Sequence, residues 1–208
     1  MLPTTSSIFQ ELRSRFHTAG LPASARERAI STGLETVDRL LGGGMPAGVL
    51  LTLEGAGSAG CRSVAAALLA VATRRGLGAI IDGGDLYPPH LEAAGVRLDR
   101  LLIVPARTPL GIARAADLLL RSRTAGVVVM AATALRAAVW IRLASLAHKA
   151  GAVLVVLAVR VSAELAAAAA VRVGCRIGVP CVAGSHGIWG TFTGFDVRAQ
   201  VRKNKRVS

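Results

Sequence analysis

The sequence predicts an α/β fold in which a mostly parallel sheet is flanked by helices, with antiparallel additions at the C-terminal edge. Apolar runs of strand length alternate with helical patterns along most of the chain. One such run, residues 49–53, leads directly into a glycine-rich loop and an apolar helix. With 208 residues, of which 52% are hydrophobic, the chain is long enough to bury the core of one main domain.

Residues 1–22 are predicted to form an N-terminal segment with an amphipathic helix over residues 6–19, and residues 23–30 a polar linker. Four apolar side chains of this helix recur at roughly helical spacing: Ile8, Phe9, Leu12 and Phe16. Gly20 and Pro22 then end it. The apolar face either packs on the core of its own chain or docks on a neighbouring subunit or partner.

The core is predicted to span residues 31–201. It opens with a helix over 31–41. The parallel strands are expected at 49–53, 79–82, 101–104, 127–130 and 153–159. The helices between and after them are expected at 64–72, around 91–94, and at 112–122, 137–150 and 162–170. Two more strands, 171–173 and 195–201, are expected at the edge of the sheet, and residues 202–208 form a basic tail.

The charge balance indicates an anionic partner. Lysine and arginine number 25 against 12 acidic residues, so the net charge is +13. Such an excess suits nucleic acid or the acidic face of another protein, although a basic surface without a dedicated partner is the alternative. The apolar runs are too short to span a bilayer, which argues against a membrane protein.

The cysteines favour a reducing, cytoplasmic setting, because no signal peptide precedes them. Cys61, Cys175 and Cys181 lack the spacing and nearby histidines of a metal site. We therefore expect no bound metal, and we interpret all three as packing residues.

The segment from Gly55 to Ser63 has the glycines of a phosphate-binding loop but not its lysine. In the pattern G-x-x-x-x-G-K-[ST], backbone N–H groups cradle phosphates, the lysine neutralises them and the hydroxyl holds Mg²⁺. After Gly60, the lysine position is Cys61 and the hydroxyl position is Arg62. Arg62 or Ser63 could substitute in part, but a guanidinium is bulkier than an ammonium and sits one position late.

Six segments taken together resemble the core of the RecA recombinase family. In order they are 29–33, 42–48, 55–63, 80–82, 94–102 and 201–205. The resemblance covers roughly residues 29–205 and implies a RecA-like, P-loop NTPase-type fold.

The resemblance also implies where catalytic residues should lie. The glutamate that activates water corresponds to Gly84, and Asp85 is one residue off. The Walker B aspartate that orients Mg²⁺ corresponds to Ala131, and the glutamine that senses the γ-phosphate corresponds to Val159. With Cys61, four positions have lost the groups on which phosphoryl transfer depends. The resemblance thus implies a pseudo-ATPase that uses no cofactor.

One functional piece of the family is retained near the C-terminus. Lys203 and Lys205 match the family's Lys-Asn-Lys segment, whose lysines reach the nucleotide of a neighbouring subunit. They are therefore candidate interface residues for a true recombinase. The alternative is that they belong to a basic terminus that contacts the DNA backbone, together with Arg202 and Arg206.

Among RecA-like proteins, a small chain with an eroded nucleotide site resembles the ImuA type, an accessory component of a bacterial mutagenesis cassette. This resemblance implies an adaptor of the DNA-damage (SOS) response that partners RecA, an ImuB-type polymerase-like protein and an error-prone polymerase in translesion synthesis. A sequence-independent DNA-binding protein is an alternative, although few aromatic residues are available for base stacking; Trp140 and Trp189 are the candidates. A residual ATPase using Arg62, Ser63 and Asp85 and a cell-division inhibitor of the SulA type are the others.

Overall fold

The computed structural model describes residues 38–39, 44–56, 60–84, 86–186 and 189–204, without the side chains of 179–186 and 189–196. Asp38 and Arg39 are helical. The predicted N-terminal helix and linker lie outside the described residues. So do these predicted interface and DNA-contacting residues: Ile8, Phe9, Leu12, Phe16, Lys205 and Arg206.

Seven strands form one sheet in the order β3-β2-β4-β5-β1-β6-β7. Their bounds are β1 Leu50–Glu54, β2 Leu77–Asp82, β3 Leu101–Pro105, β4 Ala125–Ala131, β5 Val153–Ala158, β6 Val171–His186 and β7 Trp189–Asn204. All neighbouring pairs from β3 to β6 are parallel, and β6 pairs with β7 in antiparallel fashion. The predicted α/β class and its antiparallel edge are confirmed.

Helices connect the strands and cover both faces of the sheet. They are α1 Cys61–Arg75, α2 Pro88–Ala93, α3 Pro109–Ser122, α4 Ala137–Ala150 and α5 Ala163–Ala168, with a 3₁₀ turn at Leu98–Arg100. The start of α3 is fixed by Thr108, whose hydroxyl accepts a hydrogen bond from the Gly111 N–H at 3.1 Å. In the described ranges, none of these helices combines the length and apolar character that a bilayer crossing requires.

The core lies in two layers because successive residues of β1 point to opposite faces of the sheet. Leu51 and Leu53 pack with α1 on one face, while Leu50 packs with α3 and α4 on the other. Trp140 of α4 is fully buried in the second layer. It is therefore a core residue and offers no surface on which a nucleic-acid base could stack.

The β6–β7 hairpin is longer than the sequence predicts. Each strand has 16 residues, whereas the expected strands were 171–173 and 195–201. Pro180 and several glycines resemble strand breakers, but the ladder absorbs them through register shifts, one of which separates Ile177 from Pro180. The assignment of residues 202–204 to a basic tail is wrong, because Arg202, Lys203 and Asn204 continue β7 and pair with the start of β6.

Candidate functional site

The glycine loop leaves the carboxyl end of β1, beside the ends of β5 and β6. Its first residue is anchored, since the Gly55 N–H donates to the Ala158 carbonyl of β5 at 3.0 Å. The loop closes at Gly60, which caps α1 with φ at 81°. This left-handed conformation favours glycine.

β7 packs directly over the end of the loop. A Cβ built on Gly60 would lie 2.6 Å and 2.7 Å from the two methyl groups of Val197. Real Cβ atoms do not approach other carbons this closely, so residue 60 must lack a side chain for β7 to remain in place. Gly60 therefore serves the packing of this hairpin as well as the turn into α1.

Cys61, which occupies the lysine position, is the first residue of α1 and is half-buried. The Cys175 thiol of β6 donates a hydrogen bond to the Cys61 sulfur, and this bond lowers the pKa of Cys61 below its ordinary value. The same bond, together with burial, raises the pKa of Cys175. The lysine position is thus part of a thiol pair.

The other positions assigned to the degenerate nucleotide site lie along the carboxyl ends of the strands. Gly84 follows β2 with φ at 113°, and Nη2 of Arg107 lies 3.4 Å from the point where its Cβ would be. Ala131 ends β4 and is exposed. Val159 follows β5 with 67% of its surface exposed. None of these three residues has a side chain that could bind a phosphate or a metal ion.

Arg62 and Ser63, the two candidates to replace the lysine and the hydroxyl, lie exposed in the first turn of α1. Arg62 lines a largely apolar cleft of about 780 Å³ together with Asp82 and Ala131. In the described part of the chain, no three His, Cys, Asp or Glu side chains lie close enough to share a metal ion.

The charged network at the end of β1 was not predicted. Glu54 is buried, and its carboxylate accepts two hydrogen bonds from Arg172 of β6, at 2.7 Å from Nε and 3.0 Å from Nη2. Nη1 of Arg202 on β7 lies 3.6 Å from the same carboxylate. Gly174 makes room for this arginine, since a Cβ there would lie 2.6 Å from its Nε. Glu54 therefore ties β1 to both strands of the hairpin.

A second cleft, of about 580 Å³, opens above this network. Its charged lining consists of four arginines and one acid: Arg160, Arg172, Arg176, Arg202 and Glu54. It also contains Gly55, Val159 and Cys175. The structure therefore divides the predicted site residues between two clefts, since Arg62 and Ala131 line the apolar one and Gly55 and Val159 the basic one.

The predicted interface lysine Lys203 is bound within its own chain. Its Nζ donates to the Ala166 carbonyl in α5 at 2.6 Å, because β7 runs past the end of that helix. To reach another subunit, this side chain has to release the carbonyl.

Sequence reasoning missed Glu54, Arg172 and Cys175 as site residues. A usable signal existed for two of them, because Glu54 closes an apolar strand and Arg172 lies between two buried valines. A charged residue in such a place needs a partner. The identity of that partner cannot be read from the sequence, because Glu54 and Arg172 are 118 residues apart.

About half of the chain is similar in sequence to RecA proteins. The RecA protein of Nostoc punctiforme is 36% identical over 107 residues, which is 50% of this chain and 30% of that protein. The RecA protein of Rippkaea orientalis is 34% identical over 113 residues, or 53% and 32%. These matches span about a third of the length of those curated relatives.

The fold is similar to that in a crystal structure of the RadB recombinase. The TM-score is 0.65 at 17% identity, covering 84% of this chain and 90% of that chain. No protein-family model matches the sequence.

Proposed function

We propose that this chain, which is similar in sequence to RecA proteins over about half its length and in fold to the RadB recombinase, acts as a non-enzymatic adaptor of the bacterial DNA-damage response, of the ImuA type. In this role it binds RecA, the translesion polymerase complex or both in the cytoplasm, and promotes damage-induced mutagenesis. The complex contains an ImuB-type polymerase-like protein and an error-prone polymerase.

The observation that carries this proposal is the state of the lysine position. Cys61 turns toward Cys175, and Val197 packs against Gly60, the residue before it. The end of the glycine loop is thus joined to the hairpin by thiol and methyl contacts. Those contacts support a structural role for the loop, whereas phosphoryl transfer needs a cation at this point.

The remaining residues do not fit a nucleotide with its magnesium ion. Gly84 and Ala131 have no carboxylate to hold water or metal, and Val159 has no polar group to sense a phosphate. Such catalysis depends mainly on electrostatic stabilisation of the transition state, so losing several charged groups together removes most of the rate enhancement. We therefore expect the purified protein not to hydrolyse ATP.

The first experiment is a binding titration against RecA from the same bacterium, with and without single-stranded DNA and ATP. Lys203→Ala and Lys205→Ala are measured separately, because Lys203 must first leave the Ala166 carbonyl. We expect binding by the native chain and a loss of at least about tenfold in affinity for one of the two variants, which corresponds to about 1.4 kcal/mol.

Lys149→Ala is the matched control, since Lys149 lies at the carboxyl end of α4, beside Gly48 and outside the C-terminal strand. It removes the same charge and is expected to leave RecA binding unchanged. The proposal of a non-enzymatic adaptor that binds RecA fails if the native chain binds RecA under none of these conditions. It also fails if the native chain hydrolyses ATP faster than a Ser63→Ala variant.

A second candidate function, sequence-independent DNA binding, is favoured by the basic cleft. Arg160 and Arg176 line this cleft and are exposed. Arg172 and Arg202, which also line it, already lie against Glu54. Among the described residues, Glu54 is the carboxylate that lines the cleft, so an excess of positive charge is available to phosphates.

This candidate predicts a DNA affinity that falls steeply with salt and is indifferent to sequence. The variant Arg160→Ala/Arg176→Ala removes two cleft charges and is expected to reduce the slope of log K against log salt by about two. The variant Arg75→Ala/Lys149→Ala removes two charges from the amino ends of the parallel strands, whereas the cleft lies at their carboxyl ends, and serves as the control. Fluorescence anisotropy with labelled single strands measures both, and equal slopes for the two variants would exclude the cleft as the DNA site.

A further inference from the structure

Two of the three cysteines meet where the loop, α1 and the hairpin converge. Cys61 is the first residue of α1, is half-buried, and packs against the core cluster that contains Cys175. Cys175 is buried in β6 and lines the basic cleft. The two thiols are hydrogen-bonded to each other, and both are free. They lie close together although they come from distant parts of the sequence.

The two sulfurs differ in chemical character. Cys61 begins a helix of 15 residues with no acidic residue in its first turn, and the positive end of a helix favours a thiolate. The hydrogen bond from Cys175 lowers the pKa of Cys61 further. Cys175 is held in the opposite state, since this hydrogen bond, burial and the negative charges of Cys61 and Glu54 all raise its pKa. Cys61 is therefore the nucleophile of the pair, and Cys175 retains its proton.

We propose that Cys61 and Cys175 form a peroxide-sensitive dithiol that closes reversibly to an intramolecular disulfide. This modification site does not depend on the partner proposed above. It gives a chemical role to the residue that replaced the phosphate-loop lysine.

The reaction balances with one hydroperoxide as the oxidant. The Cys61 thiolate attacks the peroxide, the O–O bond breaks, and Cys61 becomes a sulfenic acid; the hydroxide that leaves takes up the proton lost when Cys61 ionised, which gives one water. The Cys175 sulfur then attacks the Cys61 sulfur, the S–S bond forms, and hydroxide leaves with the Cys175 proton as a second water. Two thiols and one hydrogen peroxide thus give one disulfide and two waters, and a thiol reductant reverses the change.

Cys181 is excluded as the partner of Cys175 by its position. The two residues are six positions apart in the same strand, which separates them by roughly 20 Å at about 3.3 Å per residue. A disulfide needs Cα atoms within about 7 Å. Cys181 therefore provides the internal control.

The test is a peptide map of oxidised protein. Purified protein, freed of reductant, is treated with hydrogen peroxide, and the remaining thiols are alkylated before tryptic digestion. Cleavage at the arginines places the three cysteines on separate peptides, 40–62, 173–176 and 177–198. We expect peptide 40–62 to be linked to 173–176, and the intact monomer to lose the mass of two hydrogen atoms. Dithiothreitol is expected to restore both free peptides.

Three variants assign the roles. Cys181→Ser is expected to retain the link. Cys175→Ala leaves Cys61 as a sulfenic acid that dimedone traps, and slows alkylation of Cys61 by iodoacetamide at neutral pH by at least about threefold, because alanine cannot donate the hydrogen bond that lowers the pKa of Cys61. Cys61→Ser leaves Cys175 unoxidised. Circular dichroism checks that each variant is folded. If a variant is not folded, the peptide map of the native protein decides whether the disulfide forms.

The proposal is overturned if peroxide leaves peptides 40–62 and 173–176 unlinked while it oxidises a small free thiol in the same tube. It is equally overturned if Cys61 is linked to Cys181 or to another chain.

Discussion

Replacing Gly60 with alanine is expected to destabilise the fold by about 2 to 4 kcal/mol. The new Cβ would lie within 2.7 Å of both Val197 methyl groups, and overpacking of this kind costs about 1 to 3 kcal/mol. The left-handed φ of 81° adds about 1 kcal/mol or more for a residue with a side chain. Urea unfolding of the variant measures the sum.

Gly83→Ala is the control, because nothing lies within 4 Å of its Cβ position; we expect a change below about 0.5 kcal/mol. Combining Gly60→Ala with Val197→Ala removes the two closest contacts and should recover part of the lost stability, while the backbone strain at residue 60 remains. A Gly60→Ala variant as stable as the native chain would show that β7 does not press on the loop.

Glu54→Gln is expected to lower the free energy of unfolding by about 2 to 4 kcal/mol. The Glu54 side chain is 8% exposed and that of Arg172 24%. An amide can accept one hydrogen bond from the arginine but cannot neutralise it, and removing one partner of a buried pair leaves an uncompensated charge. Arg202 nearby adds to the repulsion. Thermal and urea unfolding measure the effect.

The exposed pair of Arg97 and Asp99 offers the matched comparison, with side chains 48% and 63% exposed. Asp99→Asn is expected to change stability far less than Glu54→Gln, since water and salt screen such exposed pairs. The double variant Glu54→Gln/Arg172→Met should lose less free energy of unfolding than the two single variants together, because it contains neither charge of the pair. Purely additive effects would mean that the two residues do not act as a pair.

Sequence reasoning identified the helices and strands that have strong periodicity or clear boundaries. The helix over Ala137–Ala150 was predicted with its observed bounds, because its apolar residues recur at helical spacing and Gly151 follows it. The sheet and its antiparallel edge follow from the alternation of elements. The hairpin was underestimated since glycines and Pro180 interrupt its apolar pattern, while the bulges that accommodate them depend on pairing across the two strands.

The candidate site was predictable only where a residue belongs to a local motif. Gly55, Gly60 and Cys61 lie in one loop, so their relation is visible in the sequence. The contacts of Cys61 with Cys175, of Gly60 with Val197 and of Glu54 with Arg172 depend on where β6 and β7 enter the sheet. The order of the strands along the sequence does not show which of them become neighbours in the sheet.

The position of β1 between β5 and β6 also affects how the protein is made. Glu54 and Arg172 are 118 residues apart, and a ribosome adding about 5 to 20 residues per second separates their appearance by roughly 6 to 24 seconds. For most of that interval β1 has emerged while neither of the strands that flank it has. The nascent chain therefore carries an unpaired apolar strand for seconds, and its yield in the cell is expected to depend on chaperones that shield that segment.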